Sequence, residues 1–135
     1  MKWVFTIILL SHGLIHLMGF TKAFQLTEIN LLTQSIPKPL GVLWAFASFL
    51  FLLIVFLFFL KIKWWFTIAF IAVIISQFLI VTYRKDAKFG TFINIVILLV
   101  SLVAYGNFQF NNKVQKESIK TFQSIKPSNT NLLIK

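Results

Sequence analysis

The chain has 135 residues, 59% of them hydrophobic and only 12% charged, with no cysteine and a formal net charge of +10. Soluble domains carry about twice that charged fraction, and a chain without cysteine has no disulfide, thiolate nucleophile or cysteine metal ligand. The 13 basic residues flank apolar blocks rather than forming one basic surface. That placement argues for lipid head-group anchoring and against nucleic acid as a partner.

Four apolar blocks follow one another: about Val4–Phe20, Leu40–Leu60, Trp64–Val81 and Phe89–Tyr105. Each has the length that crosses a hydrocarbon core, and in lipid the backbone must satisfy itself, so each is expected to be a helix. The expected fold is all-α: a four-helix transmembrane bundle over residues 1–106, followed by a polar, lysine-rich tail over 107–135. The start, Met1-Lys2-Trp3 and an apolar run, imitates a signal peptide. No small-x-small site follows it, so it reads as a retained first span.

The connections differ in length. Lys61-Ile62-Lys63 makes a tight hairpin, and residues 82–88 make another short turn. The first connection, Thr21 to Pro39, is long. A short interfacial helix is expected over Leu26–Leu32, ended by Ser35-Ile36-Pro37-Lys38-Pro39. In the tail, Ser118–Ile125 could form a short amphipathic helix on the membrane, but composition favours solvated disorder.

An even number of spans puts both termini on one side. That side carries eight basic residues (Lys2, Lys61, Lys63, Lys113, Lys116, Lys120, Lys126, Lys135) against five on the other (Lys22, Lys38, Arg84, Lys85, Lys88). The positive-inside rule then places both termini in the cytoplasm. Trp3, Trp64 and Trp65 fall at the inner interface, and Trp44 and Tyr83 near the outer one.

His12 and His16, the only histidines, sit four apart and so share a helix face. Ionisable residues inside a span are rare and turn toward the bundle interior. Depth places their partners. Counted from the outer ends, His16, Trp44 and Gln77 lie four residues down their spans, Asn94 five, and His12 and Ser48 eight. At 1.5 Å per residue these fall in one layer, roughly 6–12 Å below the outer interface. The expected site is a buried polar cluster of His12, His16, Gln77 and Asn94, with Trp44 and Ser48 beside it and Asp86 and Lys88 at its mouth. Gly13, Gly19, Gly41, Ala45, Ser48 and Gly90 would let the helices approach closely.

Such a cluster can be a structural clasp that fixes helix register. It can be a pocket for a small amphipathic ligand, such as a quinone head group or lipid. It can hold a metal through the i, i+4 histidines, although no carboxylate or cysteine lies within the spans. A proton relay would need ionisable groups in the inner half, where none occurs. No Ser-His-Asp set shares one depth, so no catalytic residue is assigned. Asp86 either neutralises neighbouring bases or orients His16.

The segments Ser11–Phe20 with Lys22-Ala23-Phe24, Pro39–Trp44, Ser76-Gln77, and Asp86–Thr91 with Asn94 together resemble a bacterial family of four-helix inner-membrane proteins to which no function is assigned. The match covers about Met1 to Gly106. Some members of that family continue into a soluble C-terminal domain, where this chain carries its lysine-rich tail. The architecture is also similar to DoxX-like four-helix membrane proteins, some of them tied to quinone or thiol redox systems. The sequence reading is therefore a membrane-embedded binding or accessory module, non-enzymatic, with the lipid bilayer, a small amphipathic ligand or other membrane proteins as partners. No cofactor is expected in this reading. The alternative is an oxidoreductase-linked subunit holding a quinone or metal at the histidine pair.

Overall fold

The chain's apolar blocks become helices because their backbone groups pair within the segment while their side chains pack or face outward. A computed structural model describes residues 2–30 and 32–130, the last five of them by backbone alone. It shows α1 (Lys2–Ala23), α2 (Lys38–Phe59), α3 (Trp65–Thr82), the one-turn α4 (Arg84–Ala87) and α5 (Gly90–Thr130). The helices α1, α2, α3 and α5 as far as Ile125 are long and apolar enough to cross a membrane. The chain divides into two units, Met1–Leu102 and Val103–Lys135.

Two helix ends carry the same device without glycine. At the end of α1, Leu26 N–H donates to Thr21 O at 2.9 Å and Gln25 N–H to Lys22 O at 3.1 Å. At the end of α2, Ile62 N–H donates to Leu57 O at 3.1 Å and Lys61 N–H to Phe58 O at 3.2 Å. This 6→1 and 5→2 pairing needs a left-handed residue between the bonds. Gln25 and Lys61, both at φ 56°, supply it. Pro39 sits in the first turn of α2, where its missing N–H costs nothing.

The first unit has an apolar core at each end of its polar layer. One consists of Phe5, Leu9, Leu50, Phe51, Ile54, Val55, Ala69, Ala72, Val73 and Ile97. The other gathers Ala23, Ile36, Trp44, Ala47, Leu79 and Tyr83. Trp44 and Tyr83, expected at an outer aromatic belt, are instead buried with their rings 6.0 Å apart. The reason is a missing side chain on the facing helix. A Cβ at Gly19 would lie 2.2 Å from Trp44 Cδ2, so the indole lies against bare backbone. Gly41 brings α2 equally close to Ala23 of α1. Phe51 fills the core, whereas Phe49, Phe56 and Phe59 of the same helix point outward.

Two expectations change. The described residues of the Leu26–Leu32 segment are not helical. Left-handed Gln25 stops the helix, and the amides of Thr33 and Gln34 are bound elsewhere, as shown below. The 107–130 stretch expected as disorder is helical, as part of α5. Helix formers such as Lys, Gln and Glu run through it, and no proline intervenes before Pro127. Residues 131–135 of the expected tail lie outside the described residues.

The glycine contact has a direct test. Gly19→Ala should lower thermal stability in mild detergent by about 1–3 kcal/mol through overpacking against Trp44. Gly106→Ala, where nothing lies within 4 Å, should leave stability unchanged or slightly higher. Equal melting of Gly19→Ala and the parent would show that the indole is not held against α1.

Candidate functional site

Between the two apolar cores lies one hydrogen-bond network. Helices α1, α3 and α5 supply it: His12 and His16, then Ser76 and Gln77, then Thr91 and Asn94. His12 Nε2 is 3.0 Å from Asn94 Oδ1 and 3.2 Å from Ser76 Oγ, and His16 Nε2 is 2.8 Å from Ser76 Oγ. Ser76 Oγ donates to Asn94 Oδ1 at 3.1 Å. Asn94 Nδ2 donates to Gln77 Oε1 at 3.1 Å, and Gln77 Nε2 to Thr91 Oγ1 at 3.2 Å.

These contacts assign the imidazole protons. Asn94 Oδ1 carries no hydrogen, so His12 Nε2 must donate to it. Ser76 has one hydroxyl proton and gives it to Asn94, so His16 Nε2 donates to Ser76 Oγ. Both rings are then Nε2–H tautomers, and each Nδ1 is a lone-pair acceptor. Both Nδ1 atoms are buried without a partner, as is the N–H donor of Trp44. Aromatic rings hold the imidazoles in place. Phe51 stacks on His16 at 5.6 Å and 18°, and meets His12 edge-on at 4.8 Å. Trp44 lies 4.9 Å from His16, and the two imidazoles are 4.9 Å apart at 89°.

A cavity of about 310 Å³ opens beside these rings. His12, His16 and Trp44 line its polar part. Its apolar wall includes Met18, Ile80, Phe89 and Ile93. Leu32 of the first loop and Asp86 of α4 complete it. That volume is at the lower end of the range for small-molecule pockets, which are mostly apolar with a few fixed polar groups.

Asp86 does not contact His16; it fastens the first loop. Its Oδ2 accepts from the amides of Thr33 at 2.8 Å and Gln34 at 2.9 Å, and its Oδ1 accepts from Thr33 Oγ1 at 2.6 Å. The Thr33 hydroxyl and the Gln34 amide, with lesser help from the Thr33 amide and the Lys22 charge, hold its carboxyl below the ordinary 3.8. Lys88, expected at the mouth, is not among the lining residues; its Nζ lies 5.2 Å from the Phe89 ring centre. Ser48 is buried where α1 passes at Gly13, outside the network. Gln77 and Asn94 belong to the network but not to the cavity wall.

Ser76 and Thr91 are the network members that depth counting on histidines and amides overlooks. Ser76 lies at the same depth, five residues from the expected end of its span. Among the described residues, no three histidine, cysteine, aspartate or glutamate side chains come together to hold a metal ion. The histidine pair alone offers two ligands where zinc takes three or four. The chain matches no family model, no curated protein and no solved structure.

Two predictions follow from this geometry. Ser76→Ala removes the hydroxyl shared by both histidines and Asn94. It should cost about 1–2 kcal/mol of unfolding free energy in detergent. Asn94→Leu in the same background should cost less than it does alone, because the two residues share partners. Additive losses would show that the network does not act as a unit. The second concerns the loop. A depressed carboxyl contributes above its unfolded pKa and loses that contribution as pH falls through the folded value. Amide exchange at Thr33 and Gln34, corrected for intrinsic rates, should stay slow from neutral pH down to about pH 4 and accelerate below it. Asp86→Ala should accelerate it at every pH. Unchanged exchange in that variant would remove Asp86 as the fastener.

Proposed function

We propose that this chain is a small integral membrane protein whose pocket takes the polar head of a small amphipathic ligand. Lipid is the natural solvent for the first unit, because large apolar residues such as Ile7, Phe49, Ile74, Phe78 and Phe92 lie exposed on its helices. The positive-inside count favours both termini in the cytoplasm, and the family resemblance supports a bacterial inner membrane. The pocket then faces the outer side, under the first loop.

One observation supports binding over a purely structural clasp. His12, His16 and Trp44 line one cavity, and each keeps a buried nitrogen without a partner. A clasp would be complete with the Nε2 bonds alone. Buried polar groups are normally satisfied, so unmatched ones beside a cavity point to a group that meets them. A head group with a hydroxyl for the imidazole acceptors and a carbonyl or ether oxygen for the indole donor fits this set. Apolar parts of the same molecule would lie along Met18, Ile80 and Ile93. No reaction is assigned, and the module is read as binding or accessory.

Native mass spectrometry of protein released from mild detergent tests this. The parent should carry a bound lipophilic molecule of defined mass. Ala87→Trp, which fills the cavity from α4 without touching the network, should lose it while melting as the parent does. A parent free of added mass, or a variant that retains the ligand fully, would overturn the reading.

A further inference from the structure

The cavity beside the histidines is fastened over its outer end and unfastened on one flank. Leu32 stands in its wall, and the next two residues, Thr33 and Gln34, are tied to Asp86, which lines the wall as well. Earlier in the loop, Lys22 Nζ donates to Ile29 O at 3.4 Å. Later, Ile36 is buried in the apolar core with Ala23 and Trp44. The first loop is therefore held before, at and after the cavity.

Between α1 and α5 there is no such strap among the described residues. His12 bonds Asn94, so the first turn of α5, Gly90 to Ile93, stands level with the α1 turn between His12 and His16. Gly90 puts no side chain there: a Cβ on it would lie 3.6 Å from His12 Cε1 and 2.7 Å from Ile80 Cδ1. The cavity residues flanking this gap are Ile15 and Met18 of α1, with Phe89 just before α5 and Ile93 within it. All are apolar, and Ile15 and Phe89 reach the outer surface, 48% and 77% exposed. Ile15 lies five residues below Phe20, about 7.5 Å inside the expected end of its span, so this rim faces hydrocarbon.

We infer that the pocket, if it binds as proposed above, is loaded from the bilayer through this gap, and that its ligand is a membrane-dissolved molecule with a hydrocarbon tail. A polar, water-borne molecule would have to lose its hydration against an apolar rim or displace a fastened loop. A cavity at the lower end of the small-molecule range holds a head group and little more. The gap lets the tail remain in lipid.

Carbene footprinting of the full chain in nanodiscs tests the route, after washing in excess mild detergent to remove bound lipid. Two photoactivated probes are compared: a trifluoromethyl phenyl diazirine that dissolves in the bilayer, and its benzoate, which stays in water. Ile80 is the reporter, because it lines the cavity and is otherwise buried. Phe78, exposed on the same helix, reports plain lipid contact. The bilayer probe should label Ile80, and the benzoate should not. Ile15→Trp should cut the label at Ile80 severalfold and leave Phe78 unchanged, whereas Phe89→Ala should raise it. Labelling of Ile80 by the benzoate, alone or equally with the bilayer probe, would show access from water and overturn the inference. Absence of label at Ile80 from both probes would overturn it too, as would bilayer labelling that neither rim variant changes. Whether a head group is held at all is read separately, from the bound mass of the parent.

Discussion

The Ser76 hydroxyl is the joint on which the first unit's polar interior depends. It lies within hydrogen-bond distance of both imidazoles and of Asn94, and so ties α1, α3 and α5 at one depth. Low-polarity surroundings make each of these bonds stronger and each missing partner more costly. The direction of every bond is constrained in turn: the Asn94 amide faces Gln77, its carbonyl faces His12 and Ser76, and both imidazoles keep their protons on Nε2. The network therefore fixes helix register, and it also determines which nitrogens are left without partners.

The three rings that carry those nitrogens, His12, His16 and Trp44, also line the cavity, and apolar packing gives it the rest of its walls. Trp44 can reach His16 only because Gly19 leaves backbone bare beneath the indole. Phe51 stacks on His16 from the core side. The loop from Gln25 onward then closes toward the cavity, held by one carboxylate that receives three hydrogen bonds from Thr33 and Gln34. Asp86 and Leu32 thus belong both to the loop's attachment and to the pocket's wall.

Helix α5 combines two chemistries in one run of backbone. Its early turns bring Thr91, Asn94 and Ile97 into the first unit's interior. Beyond the uncharged stretch that follows Lys88, the side chains of Lys113, Lys116 and Lys120 share one side of the helix. The first arrangement serves packing within protein.

Much of the fold was legible in the sequence, because block length and apolar content report directly on helices in lipid. Helix rise is constant, so counting residues also placed His12, His16, Gln77 and Asn94 at one depth before any coordinates were known. What counting could not supply was azimuth and long-range pairing. Ser76 looked like any serine in an apolar helix until its contacts with residues 60 and 64 positions away were seen. Trp44 was expected both near the outer belt and beside the histidines, and the bare face of Gly19 on another helix gives it the second place. Asp86 sat among bases that suggested surface neutralisation, whereas its partners lie 52 and 53 residues back along the chain. The two helix stops at Gln25 and Lys61 lacked the glycine that would have announced them. By itself the sequence determined four apolar helices and the level of their polar residues along each, all properties of one segment at a time, although the last helix runs on to Thr130. The tertiary structure alone decided which side chains meet, which nitrogens remain unpaired and where the loop is fastened, because those depend on how separate helices turn toward one another.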